Sequence, residues 1–271
     1  MRLGISSPLA HKTPEGWARR QAGLGCRAVT FPVDSGAEEG LIDRYAQAAA
    51  DNDLVIAEVG VWRNPISPDK TVRENALAYA KSQLALADRV GARCCVNISG
   101  SAGERWDGAY KENFLQGTYD ATVVSIRDII DSVRPKNTFY TIEPMPWMVP
   151  ADPDDYLRLI KDVDRERFAV HMDFCNWVTS PRKYFFNEEF MDECFQKLGH
   201  LIKSCHLKDV NLGGELTFKL IETHCGGGSI NLEKYAELAL AADPDMPLII
   251  EHLNSDAEYI ESFEYVRKRL T

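Results

Sequence analysis

Four short apolar runs in the second half of the chain each stop at a side chain that can bind a metal ion: 138–143, 168–173, 201–206 and 247–251. Their last residues are Glu143, Asp173, His206 and Glu251. Three carboxylates and one imidazole, brought to one point, form a hard, oxygen-rich donor set. Such a set suits Mn²⁺, with Mg²⁺ and Co²⁺ as alternatives, better than a thiolate-rich zinc centre. These four residues are therefore the candidate ligands of one divalent cation. Turn-forming or polar sequence follows each of them: Pro144 and Pro146, Asn176, Lys208 and Asp209, His252 and Asn254. One acidic residue at a strand end is ordinary, because loops are polar. Ligand types on four successive strands call for a common cause.

That cause would be a set of parallel strands ending on one face. Short apolar runs between turn-formers, alternating with helical patterns, read as buried parallel strands. Eight such runs are present: 3–6, 28–33, 54–61, 94–99, 138–143, 168–174, 202–208 and 248–252. The first helix opens at Thr13 as N-cap with Pro14 in its first position. Helical patterns follow over 39–51, 72–90, 118–133, 153–162, 188–200, 231–241 and 256–269. Within 72–90, Leu77, Ala80, Leu84, Ala87 and Val90 keep the three-four spacing of a buried stripe, closed by Gly91. Eight βα alternations in 271 residues predict an α/β fold, one (β/α)8 barrel spanning residues 1–271. A doubly wound sheet would need a phosphate-binding glycine turn after the first strand, and Ser6-Ser7-Pro8 is not one.

Composition narrows the partners. Lys and Arg number 31 against 41 Asp and Glu, a net charge of −10. Nucleic acid and anionic membranes both select clustered cations, so neither is expected as a partner. The 7 cysteines contain no CxxC pair, and several fall inside apparent strands. With no signal-peptide core and no apolar stretch of spanning length, a reducing cytoplasmic location is expected.

The runs Ile142-Glu143-Pro144, Met172-Asp173, His206-Leu207-Lys208-Asp209 and Ile250-Glu251-His252 together resemble the xylose-isomerase-like barrels, which include sugar epimerases and inosose dehydratase. The likeness runs over nearly the whole chain in strand order, and the Gly226-Gly227-Gly228-Ser229-Ile230-Asn231 turn adds to it. The resemblance implies that Glu143, Asp173, His206 and Glu251 hold one divalent cation, and that Glu143 and Glu251 form the acid/base pair. Chelating a hydroxyl and an adjacent carbonyl, the cation would stabilise an enediolate while the two carboxylates move a proton at carbon. Two positions depart from the epimerase pattern: Asn176 stands where a histidine is usual, and Leu212 where a substrate-binding arginine is usual.

Other candidates surround these four. His171 and Lys208 lie two residues from Asp173 and His206, so strand alternation turns them toward the same interior. His171 would orient a carboxylate, donate a proton or simply pack in the core. Lys208 would stabilise an oxyanion or hold a phosphate, or else pair with Asp173 or Glu251. Alternation turns His252 away, toward the helices. Glu58 ends the third strand, the loop Trp62-Arg63-Asn64 follows, and Asn97 faces inward on the fourth strand. They would form a wall that stacks on and hydrogen-bonds a sugar, together with Asn176; an ordinary loop is the alternative. Trp106, Trp147 and Trp177 predict an aromatic mouth, suited to a bulky aglycone or a subunit interface. Arg182 and Lys183 read as a phosphate contact or a solvated pair.

The expected activity is a metal-dependent sugar or sugar-phosphate isomerase or epimerase. The alternative is a lyase on 3-oxo-glycosides built on the same scaffold. The expected partners are a small sugar or glycoside and further copies of the chain, with a small accessory subunit in the lyase case. An abasic-site endonuclease, the remote reading, needs a histidine-rich zinc cluster and a basic face; 6 histidines and the acidic balance argue against it.

Overall fold

The computed structural model describes residues 1–270. Eight strands close a parallel barrel: β1 (Arg2–Ile5), β2 (Ala28–Thr30), β3 (Val55–Gly60), β4 (Cys94–Asn97), β5 (Tyr140–Ile142), β6 (Phe168–Asp173), β7 (Ile202–Leu207) and β10 (Pro247–Ile250). The (β/α)8 architecture read from the alternation is therefore the observed one. Two features escaped that reading. An antiparallel hairpin, β8 (Asp209–Leu212) with β9 (Leu220–Thr223), follows β7, and a short helix α6 (Pro181–Phe185) precedes the helix after β6.

The remaining helices are α1 (Pro14–Leu24), α2 (Glu39–Asp51), α3 (Lys70–Val90), α4 (Gln116–Val133), α5 (Pro153–Val163), α7 (Asn187–Leu198), α8 (Leu232–Ala242) and α9 (Asp256–Leu270). Local chemistry sets their ends. Thr13 Oγ1 accepts from Gly16 N at 3.1 Å and Asp69 from Val72 N at 2.9 Å, satisfying donors that have no intrahelical partner. Gly91 closes α3 in the left-handed conformation, φ 68°.

Trp17, Tyr156, Trp177, Tyr235 and Phe263 are fully buried aromatics. Each ring of this size contributes about 4–6 kcal/mol of transfer free energy on burial. Tyr156 on α5 also positions the site. Its hydroxyl donates to Ile142 O at 2.7 Å and accepts from Ile142 N at 3.1 Å, pinning the end of β5 beneath Glu143. Among the described residues no helix is long and apolar enough to cross a membrane, and all seven cysteines are free.

Candidate metal centre

Register brings the four ligand types together. Asp173 pairs directly with His206 across β6 and β7, and Glu143 and Glu251 are the first residues after β5 and β10. Glu143 N donates to Asn97 O at 2.8 Å and Glu251 N to Leu207 O at 3.4 Å, so both stay tied to neighbouring strands. One donor atom from each of Glu143, Asp173, His206 and Glu251 lies within 4.8 Å of the other three, and all four residues are buried. His206 Nδ1 is 2.8 Å from Glu251 Oε1, 3.2 Å from Glu143 Oε2 and 3.9 Å from Asp173 Oδ2. Glu143 Oε2, His206 Nδ1 and Glu251 Oε1 sit close to opposite charge yet make no properly aligned hydrogen bond. Buried polar atoms are rarely left so, and atoms of these types aimed at one point fit a cation.

The charges fit too. Lys208 Nζ lies 2.5 Å from Asp173 Oδ2 and 2.7 Å from Glu251 Oε1, which realises the ion pair foreseen as one reading of this lysine. Three carboxylates crowd one ammonium and one imidazole, a donor set whose acidic excess a divalent ion would neutralise. The crowding of buried charge shows in the acidities. Burial pushes Asp173 up to about 7, against the pull of Lys208 and with the help of Glu143 and Glu251. Burial would also raise Glu251, but His206 and Lys208 reverse this and hold it well below the usual range. Burial and Glu251 raise Glu143, and His206 outweighs them to leave it lowered. Burial lowers Lys208 and His206, and the surrounding carboxylates lift both well above their ordinary values.

Asn176, foreseen as a substrate contact, also bridges the ligands. Its Nδ2 lies 2.8 Å from Asp173 Oδ2 and 3.1 Å from Glu143 Oε1, and it also lines the cavity above. His252 is corrected. It adopts φ 58°, which breaks strand alternation just past β10 and swings the ring over the mouth. There Nδ1 lies 3.1 Å from Glu222 Oε2 and 3.3 Å from Lys208 Nζ.

Glu58 is also corrected, from wall to floor. It is 2% exposed, one layer below the ligands. Its Oε1 accepts from Ser204 Oγ at 2.6 Å and lies 3.0 Å from His171 Nε2, and its Oε2 lies 3.2 Å from His206 Nε2. Burial would raise this carboxyl, and the imidazoles of His206 and His171 hold it far below the usual range instead. His171 pairs with Ser204 in the β6–β7 register, so it faces Glu58 and offers substrate no open side.

The proposed wall turns outward. Trp62 takes φ 51° and folds back on β3, where a Cβ at Gly60 would stand 2.2 Å from its Nε1. Arg63 stacks 4.9 Å over Tyr79, and both line a separate cavity with Trp106. Asn97 is fully buried, accepting from Arg63 N at 3.1 Å and lying 3.4 Å from Tyr140 Oη. Trp177 is core and donates to Pro150 O at 3.0 Å. Lys183 donates to Trp177 O at 3.0 Å, and Arg182 stacks on Phe186, away from the metal cluster. Of the three tryptophans only Trp147 lines the chamber over the ligands. Its Nε1 donates to Asp107 O at 2.8 Å.

That chamber measures about 700 Å³. Asn176, Glu222 and His252 form its polar floor, while Met145, Trp147, Val178, Val210, Phe218 and Leu220 supply apolar walls. Sequence reasoning missed the hairpin that carries Phe218, Leu220 and Glu222. The Gly213-Gly214 pair between two short alternating runs was its signal.

The profile of the xylose isomerase-like TIM barrel family matches residues 19–269, and the chain belongs to that family. No curated protein matches the sequence. Solved structures share the fold at low identity. A xylose isomerase-like TIM barrel protein from Mycobacterium smegmatis, in complex with magnesium, superposes with TM-score 0.69 at 19% identity, covering 98% of this chain and 93% of that one. D-psicose 3-epimerase from Clostridium cellulolyticum, solved with D-tagatose, gives 0.70 at 14%, covering 100% and 99%. Endonuclease IV from Thermus thermophilus gives 0.75 at 15%, again covering 100% and 99%.

Proposed function

We propose that the protein is a divalent-metal-dependent isomerase or epimerase of a free or phosphorylated sugar, moving a proton at the carbon next to a carbonyl. The observation that carries this reading is the buried convergence of Glu143, Asp173, His206 and Glu251 beneath an open chamber. A cation held by these four, Mn²⁺ or Mg²⁺ by donor chemistry, supplies Lewis acidity to the substrate carbonyl. The protein's own groups do the rest. With Glu143 Oε2 and Glu251 Oε1 turned toward the cation site, the second oxygen of each carboxylate, Glu143 Oε1 and Glu251 Oε2, is left to take or return a carbon-bound proton. Asn176 Nδ2 orients that oxygen of Glu143. The Lys208 ammonium holds Asp173 and Glu251 in place and favours negative charge developing beside it. Met145, Trp147 and Phe218 line the chamber with apolar surface against which the carbon face of a sugar can pack.

Deuterium exchange tests this. Ketoses and 3-oxo-glucosides incubated in D₂O with Mn²⁺-loaded protein are expected to gain deuterium at the carbon beside the carbonyl. Metal-stripped protein and Glu143→Gln are expected to give none. Absence of exchange with every sugar and metal tried overturns the reading.

The width and apolar walls of the chamber favour a second reading, elimination from a 3-oxo-glycoside that carries an apolar aglycone. A cavity of this size matches ligands larger than one hexose. Phenol released from a phenyl 3-oxo-glucoside identifies the lyase; epimerised sugar with the phenol retained identifies the isomerase.

A further inference from the structure

We propose that Glu58 is a positioning residue that fixes the tautomer and ring orientation of His206, with Ser204 and His171 holding Glu58 in turn. The proposal rests on the four-residue metal centre argued above. Glu58 Oε2 faces His206 Nε2 at 3.2 Å, so an ionised carboxylate there selects the tautomer with its proton on Nε2. The lone pair of Nδ1 then points at Glu143, Asp173 and Glu251, where a cation would sit. Ser204 Oγ at 2.6 Å and His171 Nε2 at 3.0 Å both meet Oε1, which keeps the carboxylate from turning. The His171 ring stands 4.2 Å from the His206 ring at 75°, blocking the space into which His206 would flip. All four side chains are buried, so water offers no substitute partner.

The arrangement sets one hydroxyl and two imidazole nitrogens against two carboxylate oxygens, which only accept. Glu58→Gln exchanges one oxygen for an N–H group, which must face either His206 Nε2 or the Ser204–His171 pair, and facing that pair it makes His171 or Ser204 turn from donor to acceptor. If the amide N–H faces His206, the ring must move its proton to Nδ1, into the centre of the ligand cluster. Partners of this kind are worth about 10–100-fold in metal affinity.

Two readouts test the proposal without turnover. The first is ¹⁵N-edited NMR of the wild-type protein, metal-free and Zn²⁺-loaded: a slowly exchanging proton on His206 Nε2 is expected in both states. Its absence in both, or coordination of the metal through Nε2, overturns the proposal. The second is calorimetric Zn²⁺ and Mn²⁺ affinity alongside the melting temperature of the metal-free protein. Glu58→Gln is expected to weaken binding about 10–100-fold. Should Glu58→Gln fail to fold, Ser204→Ala takes its place, with an expected loss of about five-fold. A variant that lowers the melting temperature and leaves affinity within two-fold shows a merely structural Glu58 and overturns the proposal. If the wild-type chain binds no divalent ion, the metal centre itself fails, while the Nε2 proton still decides what Glu58 does.

Discussion

Lys208 is a buried ammonium held by Asp173 and Glu251, and it is worth most when no cation is present. Lys208→Met removes the ammonium that Asp173 and Glu251 share and leaves those buried carboxylates short of compensation, which costs about 3–5 kcal/mol. Chemical denaturation of metal-free protein measures that loss, and saturating Mn²⁺ is expected to restore part of it. An unchanged metal-free stability would mean that Lys208 carries no charge at this site. Glu143→Gln keeps the volume and the contact with Asn176, so the fold is expected to survive while turnover falls about 10²–10⁴-fold. Parallel melting curves and exchange assays check both halves of that statement.

At the scale of elements, Asp209 explains why the glycine run before α8 takes its shape. Its carboxylate accepts from Gly226 N at 3.0 Å, Gly228 N at 2.9 Å and Ile230 N at 3.0 Å, besides Val210 N. A Cβ at Gly228 would lie 2.1 Å from Asp209 Oδ1, so the chain needs glycine there to come this close. Asp209→Ala strands several backbone donors beneath the hairpin and is expected to destabilise the fold by roughly 3 kcal/mol or more, measured by urea unfolding. The hairpin itself places Phe218, Leu220 and Glu222 over the mouth. Phe218→Ala is expected to raise KM for an aryl glycoside about ten-fold and leave metal affinity unchanged, since Phe218 lines the chamber and is not one of the ligand residues.

Across the whole molecule, ion pairs clamp the barrel end opposite the metal centre. Arg2 joins β1 to Asp53 and Asp245 at 2.8 and 3.1 Å, and Arg93, just before β4, pairs with Asp243 after α8. Burial would raise Asp243, but the Asp245 N–H and Arg93 hold it below its ordinary 3.8. A depressed acid stabilises the fold above its unfolded value and loses that contribution as pH falls through the lower folded value. Asp243→Asn is therefore expected to cost about 0.5–1 kcal/mol at pH 7 and progressively less as pH falls from the unfolded value through the lower folded one, read from unfolding along an acid series. Metal removal acts at the other end. A site filled at 100 times its Kd adds about 2.7 kcal/mol, so chelation is expected to lower the melting temperature by about 5–10 °C.

The alternation of apolar runs and helical stripes, and the ligand types ending four of those runs, were legible in the sequence. Strand periodicity and caps such as Thr13 and Gly91 are local properties, and parallel strands in a barrel must end on one face. Where Glu58, Trp62, Asn97 and His252 would point was not legible. Glu58 reaches His206 from 148 positions away, and no periodicity encodes which opposing strand a side chain meets. Trp62 and His252 take positive φ just past their strands, where alternation stops governing direction. Types and order along the chain determined which groups would converge. Only closure of the barrel decided which of them face the chamber and which hold the others from beneath, because that depends on contacts between strands remote in sequence.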